Sequence, residues 1–167
     1  MARRSRAREV AFQVLYQDDL NPQNNPAVGD QLLVRRLRLP ELIEFGRHLV
    51  SGVRRNRAEL DAGIAAAAEN WSLERMAATD RNLLRLGAYE ILHSDTPGAV
   101  AINEAIELAK RYGTPQSAQF VNGILDRLMH QQQAADSGQQ AADSGQQAAD
   151  SGQQAADSGQ RAAEQET

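Results

Sequence analysis

Residues 100–128, VAINEAIELAKRYGTPQSAQFVNGILDRL, constrain the fold of this chain more than any other stretch. Ile102, Ala105, Ile106 and Ala109 recur at i, i+3, i+4 and i+7, one apolar stripe on a period near 3.6. Val121, Ile124, Leu125 and Leu128 repeat that spacing. Between the stripes, Gly113 is placed to end the first helix in the left-handed conformation, and Pro115 suits the first turn of the second. The stretch is a helical hairpin with a core face. Function must therefore sit on its outer faces or near its turn.

The rest of the chain extends the same pattern. In residues 1–20, Ala7, Val10, Ala11, Val14 and Leu15 form a helical stripe, with Arg4, Arg8 and Tyr16 on or beside the other face. Residues 21–29, NPQNNPAVG, read as a loop, and Asp30 as the N-cap of a short helix through Leu37. Pro40 starts another helix, with Leu42, Ile43, Leu49, Val50 and Val53 facing in. Residues 56–69 continue helically on Leu60 and Ile64. Ser72 caps a short turn, and Thr79 or Asp80 caps the next helix, where Leu83, Leu84, Leu86, Ala88, Ile91 and Leu92 are apolar on most sides. A helix apolar nearly all round is a central, buried one. No alternating β-branched stretch bounded by turns occurs, so the expectation is an all-α bundle of about seven helices.

Composition changes sharply near Gln131. Residues 134–160 repeat AADSGQQ three times, with a fourth unit that breaks at Arg161. The units carry no Leu, Ile, Val or Met for a heptad seam, and a glycine in each costs about 1 kcal/mol of helix propensity. Residues 131–167 are thus expected to be a disordered tail, and residues 1–130 the folded domain. The tail holds Asp136, Asp143, Asp150, Asp157, Glu164 and Glu166 against Arg161, a net charge of −5 within a whole-chain total of −4. The domain itself is slightly basic, at +1. Its cations are arginines apart from Lys110. There is no cysteine, which excludes disulfides and thiolate metal sites. No apolar run of about 18 residues and no signal-peptide h-region are present, so a soluble, cytoplasmic protein without a membrane partner is expected.

Catalytic patterns are missing. Glu90 and His93 match one Glu-x-x-His of a di-iron bundle, but such a site needs a second copy, and Glu44 and His48 are four apart. Glu90 is expected to be exposed, and His93 to be satisfied by helix-terminal carbonyls. No cofactor is implied. The N-terminus says more: Arg3, Arg4, Arg6 and Arg8 crowd into six residues at a helix start, where positive charge opposes the helix dipole. A polyanion partner and a merely solvated arm both account for them. Tyr16, Tyr112 and Phe120 are candidate stacking surfaces for unpaired bases, although each also suits a core. Lys110, Arg111, Gln116, Gln119 and Asn122 gather around the same hairpin turn.

Three blocks together resemble a known family. Residues 100–110, VAINEAIELAK, with residues 120–126, FVNGILD, are similar to the signature of the NusB family of bacterial transcription antitermination factors. Arg6-Ala-Arg8-Glu9 with Gln13-Val-Leu-Tyr16 resembles its opening helix. Asp80-x-x-Leu-Leu-Arg-Leu-x-x-Tyr89-Glu90-Ile-Leu resembles its central one. The resemblance covers about residues 3–129 and implies an all-α fold of two packed helical subdomains without enzymatic activity. It implies binding to boxA RNA of ribosomal leader transcripts together with the small-subunit ribosomal protein NusE, alongside other Nus factors and RNA polymerase. RNA contacts would then fall on Arg3, Arg4, Arg6, Arg8, Gln13 and Tyr16, and on Lys110, Tyr112, Gln116 and Phe120, while Asp80 would serve assembly of the complex. The turn departs from the family pattern, whose position at Gln116 is often acidic and where Pro115 is unusual. The AADSGQQ tail has no family counterpart, and its charge is expected to compete for the arginine arm. A homodimer in the free state stays open. Other readings are an RNA-binding module like the N-terminal domain of ribosomal RNA methyltransferases, and a di-iron bundle enzyme.

Overall fold

The computed structural model describes the backbone of residues 3–163 and the side chains of residues 3–153. Tail residues Glu164 and Glu166 lie outside the described residues. Seven helices occur among them: α1 (Arg3–Leu20), α2 (Pro26–Leu37), α3 (Pro40–Arg55), α4 (Arg57–Ala67), α5 (Ala78–His93), α6 (Gly98–Tyr112) and α7 (Ser117–Ala163), with a short 3₁₀ turn at Leu73–Arg75. No strand is present among the described residues. The chain divides into two units, residues 1–129 and residues 130–167.

In the first unit, α1, α2 and α3 pack on one another, and α5 packs against α1, α3, α4 and α6. The expected central helix is α5: Asn82 through Glu90 are all buried. Both hairpin stripes face the core, with Leu108 in place of the partly buried Ile106. Small residues let the helices approach. A Cβ on Gly87 would lie 2.6 Å from Leu125 of α7, and one on Gly52 only 2.1 Å from the Tyr89 ring.

Three local expectations are corrected. α2 begins at Pro26, not after Asp30, because the Asn25 side chain accepts the Ala27 amide at 3.0 Å and Pro26 occupies the first turn. Asp30 instead receives the Arg47 guanidinium in two bonds of 2.6 and 2.9 Å. α5 is preceded by Ala77 with no side-chain cap, so neither Thr79 nor Asp80 caps it. Gly113 has φ −93° and ψ −168°, an extended conformation open to any residue. Its glycine is a matter of space, since a Cβ would sit 2.4 Å from Ser117 Oγ. That hydroxyl accepts the Thr114 amide at 2.9 Å and meets Thr114 Oγ1 at 3.2 Å, closing the turn around Pro115.

In the second unit α7 continues as helix, where composition predicts disorder. Ser137, Ser144 and Ser151 each donate to the carbonyl four residues back, at 2.8–2.9 Å. Residues 133–153 are all exposed, so the support there is local, from alanine propensity.

Candidate nucleic-acid interface

The arginine arm occupies the first two turns of α1, and its members differ in what they offer. Arg3 is exposed, with Glu41 3.9 Å away. Arg4 is exposed and lies over the Phe45 ring, 4.9 Å from its centroid, with no carboxylate partner among the described residues. Arg8 is buried. Its Nε donates to both Glu90 oxygens at 2.9 and 3.0 Å, and Nη2 lies 2.8 Å from Oε1. Glu90 also accepts from Thr96 Oγ1 at 3.1 Å. A pair this deep holds α1 against α5 and does not face a ligand. This corrects the expectation of an exposed Glu90, and it places Arg8 in the interior beside it. His93 is not held by helix-end carbonyls either: it lies 3.2 Å from Glu59 and stacks on Tyr89. No cluster of three metal-ligating side chains occurs among the described residues, and no described helix is long and apolar enough to cross a membrane.

Glu9 is the hub that joins the two ends of the domain. It is buried on α1, and Arg6 donates to it from one turn back. From the end of α6, Arg111 Nη1 donates at 2.6 Å and the Tyr112 hydroxyl at 2.5 Å. Gln13 Nε2 donates in turn to the Tyr112 oxygen at 2.9 Å. Burial alone would push the Glu9 carboxyl up, but the bonds from Tyr112, Arg6 and Arg111 outweigh it and hold it at about 2. Burial and the Glu9 bond raise the Tyr112 phenol, so that it stays a donor. The structure thereby brings together Arg6, Gln13 and Tyr112, as expected of one site. Glu9 itself escaped the sequence reading, although its i,i+3 spacing from Arg6 was the available signal.

Beside this hub lies a cleft of about 480 Å³ lined by Phe12, Gln13, Tyr16, Arg36, Thr79 and Tyr112, among others. Phe12 is the buried ring between two partly open ones, 6.1 Å from Tyr16 and 5.3 Å from Tyr112. Arg36 brings positive charge to the edge. Neither Phe12 nor Arg36 was singled out from sequence. Asp80 sits in the first turn of α5, next to Thr79, and its Oδ1 is buried without a hydrogen-bond partner. A buried acceptor of that kind is ordinarily met by an ordered water or a neighbouring donor.

The remaining residues do not join this cluster. Lys110 is exposed and paired to Glu107 at 3.0 Å, and Gln116 is exposed at the entrance to α7. Phe120 is partly buried and meets Trp71, not Tyr16 or Tyr112, with centroids 5.8 Å apart. The expected single aromatic surface is two: Tyr16/Phe12/Tyr112 and Trp71/Phe120.

Comparison with known proteins agrees with this architecture. The NusB family model matches residues 5–130. The transcription antitermination protein NusB of Anaeromyxobacter dehalogenans is 44% identical over 135 residues, covering 76% of this chain and 90% of that protein. Its Bdellovibrio bacteriovorus counterpart is 42% identical over 127 residues, covering 75% and 93%. Among solved structures, T. maritima NusB superposes with a TM-score of 0.69 at 40% identity, covering 78% of this chain and 92% of that one. A crystal structure of the antitermination factors NusB and NusE in complex with double-stranded RNA contains a chain 30% identical, with a TM-score of 0.68 over 78% of this chain and 98% of that one. The chain belongs to the NusB family.

Proposed function

We propose that this protein is a non-enzymatic, cytoplasmic transcription antitermination factor that binds boxA-type single-stranded RNA of ribosomal leader transcripts jointly with NusE. Other Nus factors and RNA polymerase complete the assembly. The observation that carries the reading is the Glu9 hub, where Arg6, Gln13, Arg111 and Tyr112 converge from opposite ends of the domain beside an open aromatic cleft. Aromatic faces with amide and guanidinium groups at their rim are what unpaired bases require. Arg3 and Arg4 supply backbone charge, with Arg6 and Arg111 at half exposure. Arg8 is left out of the RNA set and assigned a positioning role, because its charge is consumed by Glu90. Asp80, beside Thr79 of the cleft wall, is the position assigned to assembly with NusE.

The test is RNA binding with and without NusE, using boxA and scrambled RNA across a salt series. Specific binding should need both proteins. With about four phosphates neutralised, log K should fall against log salt with a slope of about −3. Equal affinity for boxA and scrambled RNA in the presence of NusE would refute the role.

A further inference from the structure

The arginines of the arm are held in two different ways. Arg3 faces Glu41 at 3.9 Å, Arg6 donates to Glu9, and Arg8 is clamped by Glu90. Arg4 has an aromatic ring in place of a carboxylate: its guanidinium carbon lies 4.9 Å from the centroid of Phe45 on α3. A carboxylate accepts the N–H donors of a guanidinium and cancels its charge. A ring attracts the cation through its π face and leaves donors and charge for another partner. Of the four arginines, Arg4 is therefore the one both held and available.

The same ring also meets Arg8, whose guanidinium carbon is 5.2 Å from the centroid. Two uncompensated cations on one ring would repel each other. Here Arg8 is compensated, lying 2.8 Å from Glu90 and 3.6 Å from Glu104. Two carboxylates on one buried guanidinium leave a local surplus of negative charge, and that surplus draws Arg4 inward onto the ring. Ser5, next to Arg4, donates to Glu104 at 2.7 Å and pins the same turn of α1 to α6. Phe45 is partly buried and packed against the core, so packing fixes the platform. Arg4 and Phe45 border a cavity of about 460 Å³, shared with His48, His93 and Pro97, which gives a phosphate room to approach.

We propose that Phe45 is a positioning residue for RNA binding: it holds the Arg4 guanidinium in place, with its charge uncancelled, for a phosphate of the bound strand. The proposal rests on the RNA-binding reading above and adds to it a residue that acts only through Arg4. Its effect is entropic. A free arginine loses rotamer freedom when a phosphate immobilises it, whereas one seated on a ring has lost part of that freedom already on folding.

Labelled boxA-type single-stranded RNA is titrated across a salt series, with NusE present, into wild type, Phe45→Leu, Phe45→Met, Phe45→Tyr, Arg4→Ala and the Arg4→Ala/Phe45→Leu double variant. Phe45→Leu and Phe45→Met remove the ring but keep apolar bulk, and each should weaken binding about twofold to fivefold, the range for one exposed cation–π contact. Phe45→Tyr keeps the ring and should bind as wild type does. None of the Phe45 variants changes the charge, so log K against log salt should keep the wild-type slope, while Arg4→Ala makes it shallower by about 0.7. In the Arg4→Ala background, Phe45→Leu should have no further effect on binding. A loss of the same size in both backgrounds makes Phe45 a packing residue only and overturns the proposal, as does wild-type affinity in Phe45→Leu. By NMR of free wild type, the Arg4 side-chain protons should carry a ring-current shift; its absence overturns the seating directly, even where a variant fails to fold. No preference of wild type for boxA over scrambled RNA removes the RNA-binding reading and the proposal with it, a failure visible before any variant is compared.

Discussion

Replacing Glu9 with glutamine tests the hub directly. The carboxyl falls from an ordinary 4.5 to about 2 on folding. At about 1.36 kcal/mol per pKa unit, its ionised form contributes at most about 3 kcal/mol to stability at neutral pH. Arg6 and Arg111, its charged partners, are 38% and 50% exposed, so solvent screens part of this. About 2 kcal/mol is the expected loss for Glu9→Gln, or a drop of about 6–10 °C in melting temperature for a domain of this size. The sign with pH follows from the direction of the shift. A depressed carboxylate stabilises the fold above its unfolded pKa, and that contribution drains away as pH falls from about 4.5 to about 2. Urea denaturation of wild type and Glu9→Gln at pH 7, 4 and 2.5 should therefore give curves well separated at neutral pH that converge in acid. The same variant releases Arg6 and Arg111, and each guanidinium freed should steepen the salt dependence of RNA binding by about 0.7. A stability difference as large at pH 2.5 as at pH 7 would refute the electrostatic account of the hub.

Arg8→Ala leaves Glu90, only 1% exposed, as an uncompensated buried charge, and should cost about 3–5 kcal/mol in urea denaturation. Arg4→Ala should leave stability within about 0.5 kcal/mol while reducing RNA affinity at low salt, because Arg4 is exposed and bonded to no carboxylate among the described residues. Gly52→Ala drives a methyl into the Tyr89 ring, whose hydroxyl meets His48 Nε2 at 3.1 Å, and should lose about 2–3 kcal/mol; wild-type stability would contradict the packing of α3 on α5. Truncation after His130 removes a net −5 and should tighten binding to random RNA at low salt, measured by filter retention against the full chain.

Much of the fold was legible because burial in a helical protein leaves a 3.6-residue signature. The stripes of α6 and α7, and the nearly all-apolar α5, need no other information to be placed inside. Helix starts were less legible. Asn25-Pro26 is a good N-cap followed by a first-turn proline, yet it lay within a run of loop-forming residues and Asp30 looked equally able to cap. Which of two capping residues is used depends on where their partners lie, and Asp30 had Arg47 waiting on α3.

The candidate site divides along the same line. A sequence displays charge but not whether charge is available. Arg3, Arg4, Arg6 and Arg8 look like one basic arm, but the helix turns Arg8 inward beside Ala7 and Val10, onto a carboxylate 82 residues away. Arg6 is half committed to Glu9, and only Arg3 and Arg4 keep most of their charge in solvent. The acidic side is equally informative. Glu9 and Glu90, which no charge count would place at an RNA site, decide which cations remain free and fix the helices that present them. Asp80 differs, with one carboxylate oxygen buried and no hydrogen bond to it among the described residues. On the proposed RNA-binding reading, exposed Arg4 is therefore a sharper first target than the arginine cluster taken as a whole.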